Sequence, residues 1–244
     1  MNLEIKIFLK PEDIALQIAE EISDLVLKNT DIGRDTFIAL SGGNTPKLLF
    51  KELAENFSEK IDWKKLHLFW GDERCVPPDD EQSNYGMTKR LLLDKVNIPD
   101  KNIHRVRGED DSVTEVSRIA EEINVVVPHK NNLPQFDLNI LGLGEDGHTA
   151  SLFPKKKLKD ISKDITGIAV HPGTSQKRIS LTLNTINNSS QVIFMVTGKG
   201  KADIIYNVMR KKDSAKRYPA ANVKPESILK WYIDREAASK IKMP

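Results

Sequence analysis

The stretch Phe136-Asp137-Leu138-Asn139-Ile140-Leu141-Gly142-Leu143-Gly144-Glu145-Asp146-Gly147-His148-Thr149-Ala150-Ser151-Leu152-Phe153-Pro154 organises the whole chain. Residues 136–141 read as a buried strand. It runs into a glycine-rich turn that presents Asp146 and His148 two residues apart. Glycine lets the backbone approach a ligand closely, and a carboxylate beside an imidazole makes a tuned base. Open α/β sheets place their sites at strand ends of this kind.

Working outward, short strand-like runs alternate with longer helical ones. The apolar pattern predicts strands over 3–9, 36–40, 66–70, 102–106, 136–141, 165–170, 178–183, 191–196 and 229–233. It predicts helices over 11–28, 45–56, 84–93, 113–127, 201–210 and 235–241. This alternation implies an α/β fold with a mostly parallel, helix-covered sheet. Val192-Ile193-Phe194-Met195-Val196 is apolar on both faces, as a central parallel strand must be. No repeat or linker divides the chain, so residues 1–244 are expected to form a single domain. The polar stretch 155–163 is the candidate for a mobile surface segment.

Composition narrows the function classes. A net charge of +2 on 244 residues creates no global field for nucleic acid or membrane. The basic runs Lys155-Lys156-Lys157 and Arg210-Lys211-Lys212 are short and read as solvated faces. Cys75 is the only cysteine, which excludes an intrachain disulfide and suits a reducing cytosol. Residues 1–7 alternate polar and apolar and lack the pattern of a signal peptide. No apolar run approaches the roughly 18–20 residues of a membrane helix. A cytoplasmic protein with neither nucleic-acid nor membrane partners is expected.

Four constellations carry candidate chemistry, and each follows a predicted strand. In Ser41-Gly42-Gly43-Asn44-Thr45-Pro46, Thr45 is a predicted N-cap and Pro46 the first helical residue. The free amides and helix dipole of such a turn attract an anion, though a plain strand-to-helix turn would use the same glycines. Trp70-Gly71-Asp72-Glu73-Arg74 supplies Asp72 for hydroxyl contacts or proton transfer and the planar fork of Arg74 for a phosphate or sugar hydroxyl. In isolation the default reading of this segment is a surface salt-bridge cluster, and Cys75 reads as structural. Gly142-x-Gly144-x-x-Gly147 matches the dinucleotide fingerprint formally, but Glu145 and Asp146 would repel a pyrophosphate. An acid/base loop fits better, with Asp146 orienting His148. Thr197-Gly198-Lys199-Gly200-Lys201 places two lysines at a helix start, a position an adjacent anion makes favourable. Arg178, opening an alternating strand, can face the same rim, though taken alone it reads as an exposed strand-edge charge. That rim would suit a small phosphorylated substrate whose reacting group lies near His148.

These segments resemble the 6-phosphogluconolactonase branch of the family related to glucosamine-6-phosphate isomerase/deaminase. The resemblance is carried by Ser41–Pro46, Trp70–Arg74 with Ser83-Asn84-Tyr85, Gly142–Pro154, Arg178-Ile179-Ser180-Leu181-Thr182 and Thr197-Gly198-x-x-Lys201-Ala202, in family order along nearly the whole chain. It implies a Rossmann-like sheet with helices on both faces. It also implies cofactor-free and metal-free hydrolysis of a phosphorylated sugar lactone, in the oxidative pentose phosphate pathway. His148 then takes the role of water-activating base, and Gly42, Gly43, Thr45, Arg74, Arg178 and Lys201 line the phosphate and sugar site. The deaminase branch resembles Asp-Gly-His-Ile-Ala-Phe-Asn-Glu-Pro here, with a catalytic Glu before the Pro. This chain has Phe153 at that position, and a phenyl ring cannot relay a proton. The remaining rivals are a sugar-phosphate-binding regulatory domain, which lacks its helix-turn-helix here, and a nicotinamide-dependent dehydrogenase.

Overall fold

Runs rich in Val, Ile, Leu and Phe assemble a seven-stranded, wholly parallel sheet in this computed structural model, which describes residues 2–209 and 213–241. The chain opens with β1 (Asn2–Phe8), α1 (Pro11–Asp31), β2 (Thr36–Leu40), α2 (Pro46–Asn56), β3 (Leu66–Trp70), β4 (Asp72–Arg74) and α3 (Asn84–Leu91). It continues through β5 (Ile103–His104), α4 (Ser112–Val126), the small hairpin β6 (His129–Lys130) and β7 (Leu133–Pro134), then β8 (Leu138–Leu141) and β9 (Lys159–Ser162). It ends with β10 (Thr166–Val170), β11 (Lys177–Leu181), α5 (Leu183–Asn187), β12 (Gln191–Val196), α6 (Ala202–Met209) and β13 (Ile228–Asp234). The main sheet has the order β1-β13-β12-β8-β2-β3-β5.

Successive strand residues point to opposite faces, so each buried strand feeds two cores. On β12, Val192, Phe194 and Val196 join one cluster while Ile193 and Met195 join the other. The first cluster packs Val116, Ile119 and Ile123 of α4 and Ile204 and Ile205 of α6. The second packs Ile14, Ile18 and Ile22 of α1, Leu49 and Phe50 of α2 and Met87 of α3. Helices therefore cover both faces, as expected. Among the described residues no helix is long and apolar enough to cross a membrane.

Several expectations need correction. The strands at 165–170 and 178–183 do not enter the parallel sheet. They pair with each other antiparallel and with β4 and β9, forming a second sheet of order β4-β11-β10-β9. Their connection is a tight hairpin, which only antiparallel strands can use. That sheet buries Ile168, Ile179 and Leu181 against the α4 core. Part of the 155–163 segment is the strand β9, paired with β10. The strand expected at 102–106 shrinks to two residues. Residues 235–241 form turns rather than a helix, with Asp234 accepting the Ala237 amide at 2.8 Å. The run Arg210-Lys211-Lys212 and the end of the predicted 201–210 helix lie outside the described residues.

Candidate active site

Strand order reverses direction between β2 and β8: the chain proceeds from β2 to β3 one way, and from β8 to β12 the other. Ligands of open α/β sheets bind outside the carboxyl ends of strands at such a switch point. A cleft of about 450 Å³ opens there. Its walls include Ser41, Gly42, Gly43 and Thr45 after β2, Asp72 and Arg74 on β4, and His148 in the loop after β8. Arg178 on β11 and Lys201 before α6 complete them. Every sequence-predicted site residue except Asp146 thus borders one space.

Asp146 stands behind His148 instead. Its Oδ1 accepts from the His148 amide at 3.1 Å and lies 2.6 Å from His148 Nδ1. This pairing fixes the ring and turns Nε2 into the free nitrogen. Burial works against the Asp146 charge, but the His148 amide and ring hold the carboxyl below the usual range, so it stays ionised. The ring itself is partly exposed, at 29% of its side chain. The loop fits because of Gly144: a Cβ there would stand 2.1 Å from His148 Nδ1.

Another part of the lining suits an anion. The Nε–H groups of Arg74 and Arg178 are buried without an acceptor among the described residues. The backbone amides of Gly42, Gly43 and Asn44 likewise have no partner there. Burial pulls the Arg178 guanidinium below its ordinary value, with Asp72 opposing. An anionic ligand would offset that desolvation. Arg74 is held by the carbonyl of Gln82.

Two roles differ from expectation. Thr45 does not cap α2: its backbone is already helical and its side chain caps nothing. Its hydroxyl instead meets that of Thr197 at 2.9 Å and ties two of the predicted loops together. Asp72 is buried, with Oδ2 accepting from Ser151 at 2.6 Å and facing Arg178 at 3.7 Å. Its Oδ1 has no partner among the described residues and is the atom left for a ligand hydroxyl.

Sequence reasoning missed Asn84, Thr197 and Glu145 as lining residues, and Glu73 as the support of Asn84. The buried Glu73 carboxylate accepts from the amides of Arg74 (2.8 Å), Asn84 (2.8 Å) and Tyr85 (2.7 Å) and from the Ser83 hydroxyl (3.3 Å). It thereby fastens the first turn of α3 to β4. Burial pushes its carboxyl up to about 7, against those amides and with help from Asp72. The only signal in the sequence was the pairing of Asp-Glu-Arg with Ser83-Asn84-Tyr85. Burial pushes the Cys75 thiol up to about 11, which leaves it inert and in the structural role expected.

The sequence matches the family described as glucosamine-6-phosphate isomerases/6-phosphogluconolactonase over residues 9–231. It is 42% identical over 225 residues to the 6-phosphogluconolactonase of Haemophilus influenzae, spanning 91% of this chain and 95% of that one. It is 40% identical over 226 residues to the 6-phosphogluconolactonase of Aggregatibacter actinomycetemcomitans, spanning 92% and 95%. The crystal structure of devB protein superposes with a TM-score of 0.92 at 38% identity, over 98% of this chain and 100% of that chain.

Proposed function

The chain belongs to the family of glucosamine-6-phosphate isomerases and 6-phosphogluconolactonases, and from that premise we propose that it is a lactone hydrolase. Its substrate is 6-phospho-D-glucono-1,5-lactone and its product 6-phosphogluconate, in the oxidative pentose phosphate pathway. The reaction belongs in the cytosol, which the single cysteine suits. The observation that carries this reading is what one cleft brings together. Two arginines, each with a buried Nε–H that has no acceptor among the described residues, line it together with an Asp-oriented imidazole.

The substrate phosphate docks on the Ser41–Thr45 amides, Lys201 and the arginine side chains. His148 Nε2 takes a proton from water as the water oxygen attacks the lactone carbonyl carbon. Such general-base help is worth on the order of 10²–10⁴-fold. Backbone amides of the glycine turns stabilise the oxyanion, each worth ~10²–10³-fold. When the tetrahedral intermediate collapses, the C–O bond to the ring oxygen breaks and the His148 imidazolium returns its proton to that oxygen. Asp146 holds Nδ1–H throughout, and Asp72 Oδ1 accepts from a sugar hydroxyl. The Phe153 ring lies 5.1 Å from the His148 ring, an apolar group where the deaminase branch needs a carboxylate.

An acid-release assay with freshly prepared lactone, scored against its spontaneous opening, tests the reading. Wild type should accelerate opening. His148→Ala should lose most of the turnover while still binding 6-phosphogluconate. Ammonia release from glucosamine 6-phosphate, or equal loss of binding and turnover in His148→Ala, would remove it.

A further inference from the structure

A second histidine, used by neither the motif nor the proposed chemistry, stands outside the residues that line the cleft but within electrostatic reach of Arg178, His148, Asp146 and Arg74. His171 sits in the hairpin between β10 and β11. Its Nδ1 accepts from the amides of Gly173 and Thr174, both at 3.1 Å. A ring nitrogen that accepts carries no proton, so the neutral imidazole holds its proton on Nε2, at the far side of the ring from the hairpin. The ring packs edge-on to Phe153 at 5.2 Å and 81°. Phe153 also meets His148 at 5.1 Å and Arg178 at 5.8 Å. Three polar groups therefore stand around a single phenyl ring. The hairpin is tied to the cleft wall as well: Gln176 Nε2 donates to Gln82 Oε1 at 3.0 Å, and Gln82 holds Arg74 through its carbonyl.

We propose that His171 is a substrate-binding residue, whose Nε2–H donates to an oxygen of the phosphorylated sugar on the side of Phe153 away from His148. The proposal rests on the lactonase reading of the same cleft. The two imidazoles divide the work. His148 has a carboxylate behind it and serves as base. His171 has two amides behind it and no carboxylate, so it offers a donor. Burial, then Arg178 and His148, lower its proton affinity; Asp146 opposes, and Arg74 adds to the lowering. The ring stays neutral near neutrality with Nε2–H in place. Phe153 keeps the two rings from pairing with each other.

Two variants separate the donor from the turn. In His171→Asn, a side-chain oxygen can accept the same amides, as in an Asx-turn, while nothing remains at Nε2. In His171→Gln, the longer amide places an N–H near the Nε2 position and gives up the turn acceptor. Calorimetric binding of 6-phosphogluconate and melting temperature are measured for both. His171→Asn should keep the melting temperature and weaken binding about tenfold, the worth of one hydrogen bond to a charged or polar oxygen. KM for the lactone should rise in parallel, with kcat unchanged. His171→Gln should lose melting temperature and keep affinity. Any pattern in which affinity follows melting temperature rather than the Nε2 donor overturns the proposal. A wild type that binds 6-phosphogluconate without accelerating lactone opening defeats the hydrolase reading alone. One that does not bind it defeats both.

Discussion

His148 and Asp146 show how two residues in one turn take separate tasks. The carboxylate accepts both the amide and the ring of the histidine, at 3.1 and 2.6 Å, so ring orientation and tautomer depend on one oxygen. Asp146→Asn keeps the volume and removes the charge. The amide that replaces it can present N–H to Nδ1, which favours the tautomer with Nε2 protonated and unable to accept. Steady-state kinetics should then show kcat lowered by on the order of 10²–10⁴-fold, the scale of general-base catalysis, with KM and the affinity for 6-phosphogluconate nearly unchanged. An equal loss of affinity would mean that Asp146 shapes the cleft rather than the base. The pair was legible in the sequence because its geometry is local. Glu73 and Asn84 were not, because they meet across 11 residues and a change of element, and only the folded chain shows which amides the carboxylate collects.

At the scale of elements, the cleft depends on how closely α3 approaches the loop after β2. Asn84, the first residue of α3, donates its Nδ2 to the Asp72 carbonyl at 2.8 Å, and its Oδ1 lies where a Gly42 side chain would begin. A Cβ on Gly42 would stand 1.7 Å from that oxygen. Gly42→Ala must therefore push α3 or the anion-binding loop aside. Urea unfolding should show a loss of about 1–3 kcal/mol, as for other overpacked sites, and KM for the lactone should rise. Wild-type values for both would show that the two elements do not need this contact. The parallel strands were legible because doubly buried strands read as continuous apolar runs, as at 192–196. The second sheet was not. Residues 165–170 and 178–183 carry ordinary strand patterns, and nothing in those patterns states which partner a strand will choose. Thr45 misled for a related reason. Thr before Pro is a sound local capping signal, but the tertiary contact with Thr197 outcompetes the cap. The tail at 235–241 has helical spacing, yet Asp234 takes the Ala237 amide with its side chain and the Ala238 amide with its carbonyl, which closes turns.

For the whole molecule, folding stability is linked to the same buried carboxylate that supports the site. Glu73 has a reference value of 4.5 and is pushed up to about 7 in the fold. Between those values the folded chain binds a proton that the unfolded chain does not. The contribution of Glu73 is therefore fully present below about pH 4.5 and is lost as pH rises through about 7, by up to about 3 kcal/mol. Carboxyls held below their ordinary values act oppositely. Asp146, Glu109, Glu122 and Asp111 contribute stability above that ordinary range and lose it only on further acidification. The two effects occupy separate pH windows and can be read apart. Burial also holds the His67 and His171 rings below their ordinary value, which adds a rise with pH over the same range, so the Glu73 fall is read from about pH 5 to 8 as the difference between the thermal melts of wild type and Glu73→Gln. Glu73→Gln cannot titrate, so its curve should lack that falling contribution and keep the histidine rise, even though its amide nitrogen faces the Tyr85 N–H and lowers stability at every pH. The hydrophobic faces of the central sheet titrate nowhere in this range, so they add no slope. A difference that stays constant across that window would assign any falling contribution to another group and leave Glu73 ionised throughout.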